Sequence, residues 1–328
     1  MNSRDREGKT ALMWSIINEH KSIAKFLLKQ PGINVNVKTT SGFNALHMAL
    51  DYQELEVVKL ILKNKNVDVN CKTPNNTAVF HIAVDRGNLQ IVRMFLAHKD
   101  VDVNLEDEFT GNTALTIAVS RGHLEMVKFL LAHPKVDINY RDAKGRVPLE
   151  VAPVVEKNNV QIVEMFLNHK DVDVNLESTD TGHTALTAAA ASGDVEVVKM
   201  ILAHPDVDVN HHDGRGLTAL MMGLFMGNEQ LVKLFLADER LDATAVSEDG
   251  YNALHYATLD SAEMVELIMS DLRFSSMVNK PNQFGETALM HAVIYCKHTA
   301  VAKLLLYPSV DMDLTNNDGE SLEDLARY

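Results

Sequence analysis

The stretch GNTALTIA, from Gly111 to Ala118, decides how the rest of the chain is read, because it returns with small changes from end to end. It reappears as GKTALMWS from Gly8, GFNALHMA from Gly42, GHTALTAA from Gly182, GLTALMMG from Gly216, GYNALHYA from Gly250 and GETALMHA from Gly285. Weaker copies fill the gaps: NTAVFHIA from Asn76, GRVPLEVA from Gly145 and GESLEDLA from Gly319. Successive starts lie 34, 34, 35, 34, 37, 34, 34, 35 and 34 residues apart. A fixed period of this size marks stacked supersecondary units, none of which can bury its apolar face alone. A second phrase keeps the same beat, with LLAHPKVDIN ending at Asn139 and ILAHPDVDVN ending at Asn210.

Each unit carries the same physical parts. Glycine suits a backbone position with φ > 0, and its one replacement, Asn76, is the residue type that best tolerates that region after glycine. Two residues on, Thr10, Thr113, Thr184, Thr218 and Thr287 suit a helix N-cap, and Pro148 falls at the first helical position. A short first helix therefore begins at each TAL, and Gly87, Gly122, Gly193 or Gly227 ends it. A second helix follows, as in NLQIVRMFLA from Asn88 and HLEMVKFLLA from His123, with apolar residues at i, i+3, i+4 and i+7. It stops at HP or HK, where Pro134, Pro205 and Pro308 cannot extend a helix. The VDVN connector is expected to run out as an extended hairpin to the next glycine.

With these residues in register, the chain resembles the ankyrin-repeat family across nearly its whole length. The family's TPLHxA opening and DVN exit are matched from Gly8 to Tyr328. The resemblance implies an all-α fold of helix-turn-helix repeats with short β-hairpin loops, an ankyrin-repeat solenoid of about nine full repeats and a partial tenth. It implies a single domain over residues 1–328. The connector HPxVDVN is one residue longer than the family norm, which accounts for the 34-residue period.

Terminal repeats of such an array need a polar outer face. Ser15 and Lys21, which replace the alanine and leucine of later copies, fit an N-terminal cap, with Trp14 partly exposed. The tenth unit stops after SLEDLARY, as a half-repeat cap or as a piece of a longer chain. In repeat 5, Pro153 falls inside the expected first helix, and two extra residues are expected to bulge the turn between helices. Around Asp260 that turn is one residue short, and MSDLRFSSMVN lengthens the following loop by two.

Chemistry is sparse. The formal net charge of -14 argues against a nucleic-acid surface, which needs lysine and arginine in excess. Cys71 and Cys296 form no metal pattern or disulfide framework and fit a reducing compartment, so the cytoplasm is expected, with the nucleus as the other location. The longest weakly polar run, Leu217 to Gly227, is too short to span a bilayer. His98, His133, His169 and His204 occupy one place in successive repeats and lie too far apart to share a metal; each is read as a partly cationic ring at a helix C-terminus. The connector aspartates do not form a calcium loop. No nucleophile elbow, Walker, dinucleotide, zincin or kinase signature is present, and neither an enzyme nor a cofactor is expected.

The family resemblance implies further roles. His47, His81 and His255 match its TPLH histidine, hydrogen-bonded to neighbouring backbone. Asn36, Asn70, Asn104, Asn139, Asn175, Asn210 and Asn279 match connector positions that an asparaginyl hydroxylase can modify. Leu62 and Leu131, eight residues upstream, single out Asn70 and Asn139. The preferred reading is that these side chains tie adjacent hairpins together. Partners of the family meet its concave face, and projecting that face gives a basic half with Arg86, Arg121, Lys144 and Arg146. It also gives an apolar half with Leu217, Phe225, Met226, Tyr251, Leu259, Phe284, Ile294 and Tyr295. Ile294 reads equally as core, and a shift of one position would bury Phe225. The expected function is a non-catalytic scaffold or adaptor, a monomer binding a protein or peptide whose apolar segment is followed by acidic residues. The other readings are the regulatory region of a larger enzyme or channel and an enzyme of unrecognised chemistry.

Overall fold

Thr10 starts the first helix as its sequence position predicts, its hydroxyl accepting a hydrogen bond from the Met13 amide ahead of helix Ala11–Ile17. The computed structural model describes residues 1–108, 110–155 and 159–327. The same cap recurs at Thr113, Thr184, Thr218 and Thr287, each accepting from the amide three residues on. Asn44 and Asn252 cap in their place where the sequence has no threonine. Each side chain satisfies one of the orphan donors at a helix start, worth about 1 kcal/mol.

Contacts group the chain into two compact units, Met1–Pro148 with Val155–Asp171, and Leu149–Val154 with Val172–Tyr328. In unit 1, first helices Ala11–Ile17, Ala45–Asp51, Val79–Asp85 and Ala114–Ser120 alternate with second helices Lys21–Leu28, Leu55–Leu62, Leu89–Leu96 and Leu124–Leu131. In unit 2, first helices Ala185–Ser192, Ala219–Phe225, Ala253–Asp260 and Ala288–Ile294 alternate with second helices Val195–Leu202, Glu229–Leu236, Ala262–Ser270 and His298–Leu304. Within each unit successive first helices pack on one another in one layer, as do most successive second helices in another. Phe80 and Phe95 in unit 1 and Phe235 in unit 2 are fully buried between such layers. Among the described residues the hairpins contain no strand, only isolated bridges at Lys72–Ala78, Val246–Asn252 and Thr315–Ser321.

Gly111 shows why the hairpin tip needs glycine: its φ is +69°, and a Cβ there would lie 1.9 Å from the Ala143 amide nitrogen. Asn76 takes the same left-handed conformation, with φ 59°. Glu19, Gln53 and Cys296 do so in turns between helices, where other repeats place glycine.

The connector asparagines form a zipper along the loops. In unit 1, the Asn36, Asn70 and Asn104 side chains donate to the Asn66, Asp100 and Lys135 carbonyls at 2.6–2.9 Å. Their own carbonyl oxygens accept from the amides of Asp68, Asp102 and Asp137. Asn139 donates to the Asp171 carbonyl. In unit 2, Asn175, Asn210 and Asn279 repeat the double contact. Thr244, at the zipper position of its repeat, instead bonds back to Asp242. There an arginine holds the stack: Arg273 donates to the Leu236 and Asp238 carbonyls at the end of the preceding helix. Arg240 does the same one repeat earlier, reaching the Leu202 carbonyl at 2.8 Å. Both guanidiniums fill orphan acceptors of a helix C-terminus. They are held by Asp238 and Asp271, whose carboxyls are kept below their usual range first by the hydrogen bonds from Arg240 and Arg273.

The irregular repeats resolve in part. Pro153 ends helix Pro148–Val151 after four residues, and Ala152–Val154 form a 3-10 turn. The bulge expected in the following turn involves residues 156–158 and lies outside the described residues. Ser261 caps both the end of Ala253–Asp260 and the start of Ala262–Ser270, which accounts for the short turn. The lengthened loop becomes the 3-10 helix Leu272–Met277. At the N-terminal end, Ser15 does not serve as an outer polar residue. It is buried, its hydroxyl donating to the Leu12 carbonyl, because its position packs inward like the later alanines. Lys21 is exposed and pairs with Glu54. Trp14 is half-exposed and donates to the Asp5 carboxylate at 2.8 Å.

Candidate partner-binding groove

The residues of each first helix that look away from the second helices, with the residue after each hairpin glycine, line a groove in each unit. In unit 2 this surface is apolar. Phe225, Met226 and Tyr295 are 63%, 56% and 55% exposed. Leu217, Tyr251 and Leu259 are half-buried beside them. Two cavities, of about 370 and 340 Å³, adjoin one another, with Phe225 and Tyr256 in the lining of both. Tyr251, Leu259 and Tyr295 line the first; Leu217 and Met226 line the second. Phe284 is exposed at a hairpin tip and lines neither. Ile294 is 38% exposed, which settles its reading in favour of surface, and it borders a separate cavity together with Cys296.

The sequence projection missed Tyr256, His255 and His291, which also line the first cavity. Tyr256 and His255 lie three and four residues before Leu259, and His291 lies four before Tyr295, so each stands one helical turn from a chosen residue on the same face. The two histidines form part of the cavity floor. The His255 ring exchanges contacts with Asn252 and the Glu286 carbonyl, and Thr258 bridges the His255 carbonyl to His291. Burial pushes both imidazoles down to about 4, so both are neutral at neutral pH. The rings meet at steep angles: Tyr251 to His291 at 5.2 Å and 68°, Tyr251 to Tyr256 at 6.1 Å and 54°.

Unit 1 fills equivalent positions with charge. A cavity of about 810 Å³ is lined by Asp51, Asp85, Asp107, Arg86 and Arg121 among others. Arg86 donates to the Asp51 carboxylate and Leu50 carbonyl, both at 2.7 Å, and Arg121 to Asp85 at 2.7 Å. Arg146 turns back onto the buried Asp142 of its own hairpin. Lys144 is exposed, and its backbone amide donates to the same carboxylate. Three of the four basic residues are therefore engaged by acids of the chain itself.

The histidine readings need two corrections. His98, His133, His169 and His204 lie just past their helices, and each Nδ1 accepts a hydrogen bond from the amide two residues on. The rings therefore close the turn after the helix instead of standing in its last turn. Of the three TPLH histidines, His255 makes the expected bond to backbone, and the His47 Nδ1 accepts from the Asn44 amide while its Nε2 has no partner. His81 is buried, with the Leu105 backbone beside its ring at a contact looser than those of His255. Cys71 is buried too, its thiol pushed up to about 11 by desolvation.

Among the described residues no group of three or more His, Cys, Asp and Glu side chains is placed to hold a metal ion. No described helix is long and apolar enough to cross a membrane.

Stacked helix-turn-helix repeats with a side-chain-lined groove define a class of repeat proteins whose surface is for contact with other macromolecules. The family model for ankyrin repeats matches residues 1–73, 46–142, 80–178, 149–245, 206–277 and 224–318, and the chain belongs to the ankyrin-repeat family. Among solved structures it is similar to EF0377, an ankyrin repeat protein, with 23% identity and a TM-score of 0.54 over 59% of this chain and 97% of that one. No curated protein sequence matches it.

Proposed function

We propose that this protein is a non-catalytic scaffold or adaptor of the cytoplasm or nucleus that binds a partner protein through the groove of unit 2. Ankyrin repeats are in general protein–protein interaction modules. The observation that carries the reading is the pair of adjoining cavities lined by Phe225, Met226, Tyr251 and Tyr295, with three of these more than half exposed. A contiguous apolar patch of this kind marks an interaction site, and aromatic residues are the usual anchors of interfaces. Acidic partner residues lose their expected counterparts, since Arg86, Arg121 and Arg146 are already paired.

The test compares affinity purification of the wild-type chain with a Phe225→Ser, Met226→Ser, Tyr295→Ser variant whose helical signal is unchanged. Partners absent from the variant support the groove; an unchanged partner list rejects it. We propose also that residues 1–328 form one ankyrin domain, so that calorimetry records a single unfolding transition; two separated transitions would reject this. Asn70 and Asn139 remain our proposed hydroxylation sites, read as a 16 Da mass increase on their peptides after treatment with an asparaginyl hydroxylase.

A further inference from the structure

We infer that the aromatic end of the unit 2 groove seats a positively charged side chain, arginine or lysine, from a basic segment of the partner. This deepens the groove reading and rests on it. Phe225, Tyr251, Tyr256 and Tyr295 bring four aromatic rings to one cavity of about 370 Å³. The faces of such rings carry negative potential, and a cation within about 6 Å of a ring centroid is attracted to them. Tyr251 and Tyr256 meet at a tilt rather than in parallel stacking, Tyr295 leans on His291, and Phe225 is 63% exposed.

The surroundings have the matching sign. Asp249 lines the adjoining cavity, and the Tyr251 hydroxyl is raised above its usual range by burial first and then by Glu286, Tyr295 and Asp249. The buried His255 and His291 add no positive charge at neutral pH. Arg215 lies on the adjoining cavity, with its charge turned to the buried Asp213. Among the described residues, the cation–ring contacts of the chain are Lys9 on Trp14 and Arg93 on Phe129, so these four rings hold no cation of their own chain. The net charge of -14 draws basic segments toward the molecule from a distance. An uncharged apolar segment would match the aromatic surface but would leave Asp249, which lines the adjoining cavity and accepts from the Gln283 side chain, without a cation.

The experiment uses the whole chain and peptides selected on it from a random phage-displayed library. Binding is measured by fluorescence anisotropy against wild type and against Phe225→Ala and Tyr295→Leu, with circular dichroism as the folding control. Peptides that depend on the groove are expected to carry arginine or lysine. Replacing arginine by citrulline, or lysine by acetyl-lysine, is expected to weaken them about 10-fold, in the range of a desolvated cation–π contact. Tyr295→Phe, which keeps the ring face, is expected to retain binding that Tyr295→Leu loses. Groove-dependent peptides without a basic residue, or citrulline peptides that bind as well as their parents, would overturn the cation inference and leave the groove reading standing. Selection of no peptide sensitive to Phe225→Ala or Tyr295→Leu would overturn both.

Discussion

The grooves of unit 1 and unit 2 are built on the same repeat positions and differ in whether their side chains satisfy one another. Where unit 1 has Asp51 and Asp85, unit 2 has Phe225 and Leu259; where unit 1 has Arg86 and Arg121, unit 2 has Met226 and Tyr295. In unit 1 each arginine reaches the aspartate of the preceding repeat, so the surface is closed on itself. In unit 2 the apolar residues have no equivalent partner and stay exposed. The repeat thus fixes where a side chain points, and the residue chosen there decides between a strut and a contact surface.

The largest effect separates groove from core inside unit 2. Phe235 is fully buried and Phe225 is 63% exposed. Phe235→Ala is expected to cost about 3–5 kcal/mol of unfolding free energy, the range for deleting a buried aromatic ring. Phe225→Ala is expected to stay within about 0.5 kcal/mol of wild type, as surface changes do. Denaturant titration of both variants checks this, and a large loss from Phe225→Ala would make it core and erase the difference between the grooves.

The next effect depends on acid. Burial lowers His47 and His81 of unit 1, and His255 and His291 of unit 2, from 6.5 to about 4. Between those values the unfolded chain binds more protons than the folded one. Stability is therefore full above pH 6.5, falls as pH drops toward about 4, and loses up to about 3 kcal/mol per histidine. Replacing one of them by leucine is expected to flatten the slope of unfolding free energy against pH. The units differ in what else changes. His81→Leu removes a ring whose contact with the Leu105 backbone is loose and is expected to cost less at pH 7 than His255→Leu, which strands the Glu286 carbonyl. Equal losses at pH 7 would show that His81 is as well bonded as His255.

A smaller effect compares the two ways the loops are tied. Asn70→Ala in unit 1 removes one hydrogen bond donated to Asp100 and one accepted from Asp102, and is expected to cost about 1–2 kcal/mol. Arg273→Ala in unit 2 uncovers two helix-end carbonyls and is expected to cost at least as much, with faster amide exchange in helix Glu229–Leu236. A neutral Arg273→Ala would reduce that clamp to a surface contact.

Much of this was legible in the sequence because it is local. Thr10 and its counterparts cap helices three residues away, and Gly111 and Asn76 mark left-handed turns within their own hairpins. The asparagine zipper could be read because identical residues recur at identical positions. Three features were hidden, each because a contact and not a residue type decides it. Arg240 and Arg273 break the connector pattern, and nothing nearby in sequence shows that their targets are carbonyls of the preceding helix. His98 and its counterparts sit beside a helix end, where an interaction with the dipole is the obvious reading; their hydrogen bonds show that they close the turn that follows. Tyr256 and His291 read as inner positions, yet they stand one helical turn from Leu259 and Tyr295 and line the same cavity.

The smallest effect bears most directly on the contrast between grooves. The Arg86–Asp51 pair is a half-exposed ion pair with a second bond to the Leu50 carbonyl. Such pairs couple by about 0.2–1 kcal/mol, because solvent screening and side-chain entropy offset the attraction. A double-mutant cycle of Arg86→Met and Asp51→Leu, read by denaturant unfolding, is expected to give a coupling in that range that shrinks at high salt. The double variant is also expected to give unit 1 an apolar groove surface in place of its charged pair. If it then captures the peptides selected on unit 2, exposed apolar surface alone accounts for recognition. If it does not, the aromatic rings of Tyr251, Tyr256 and Tyr295 carry a specificity that a merely apolar groove lacks.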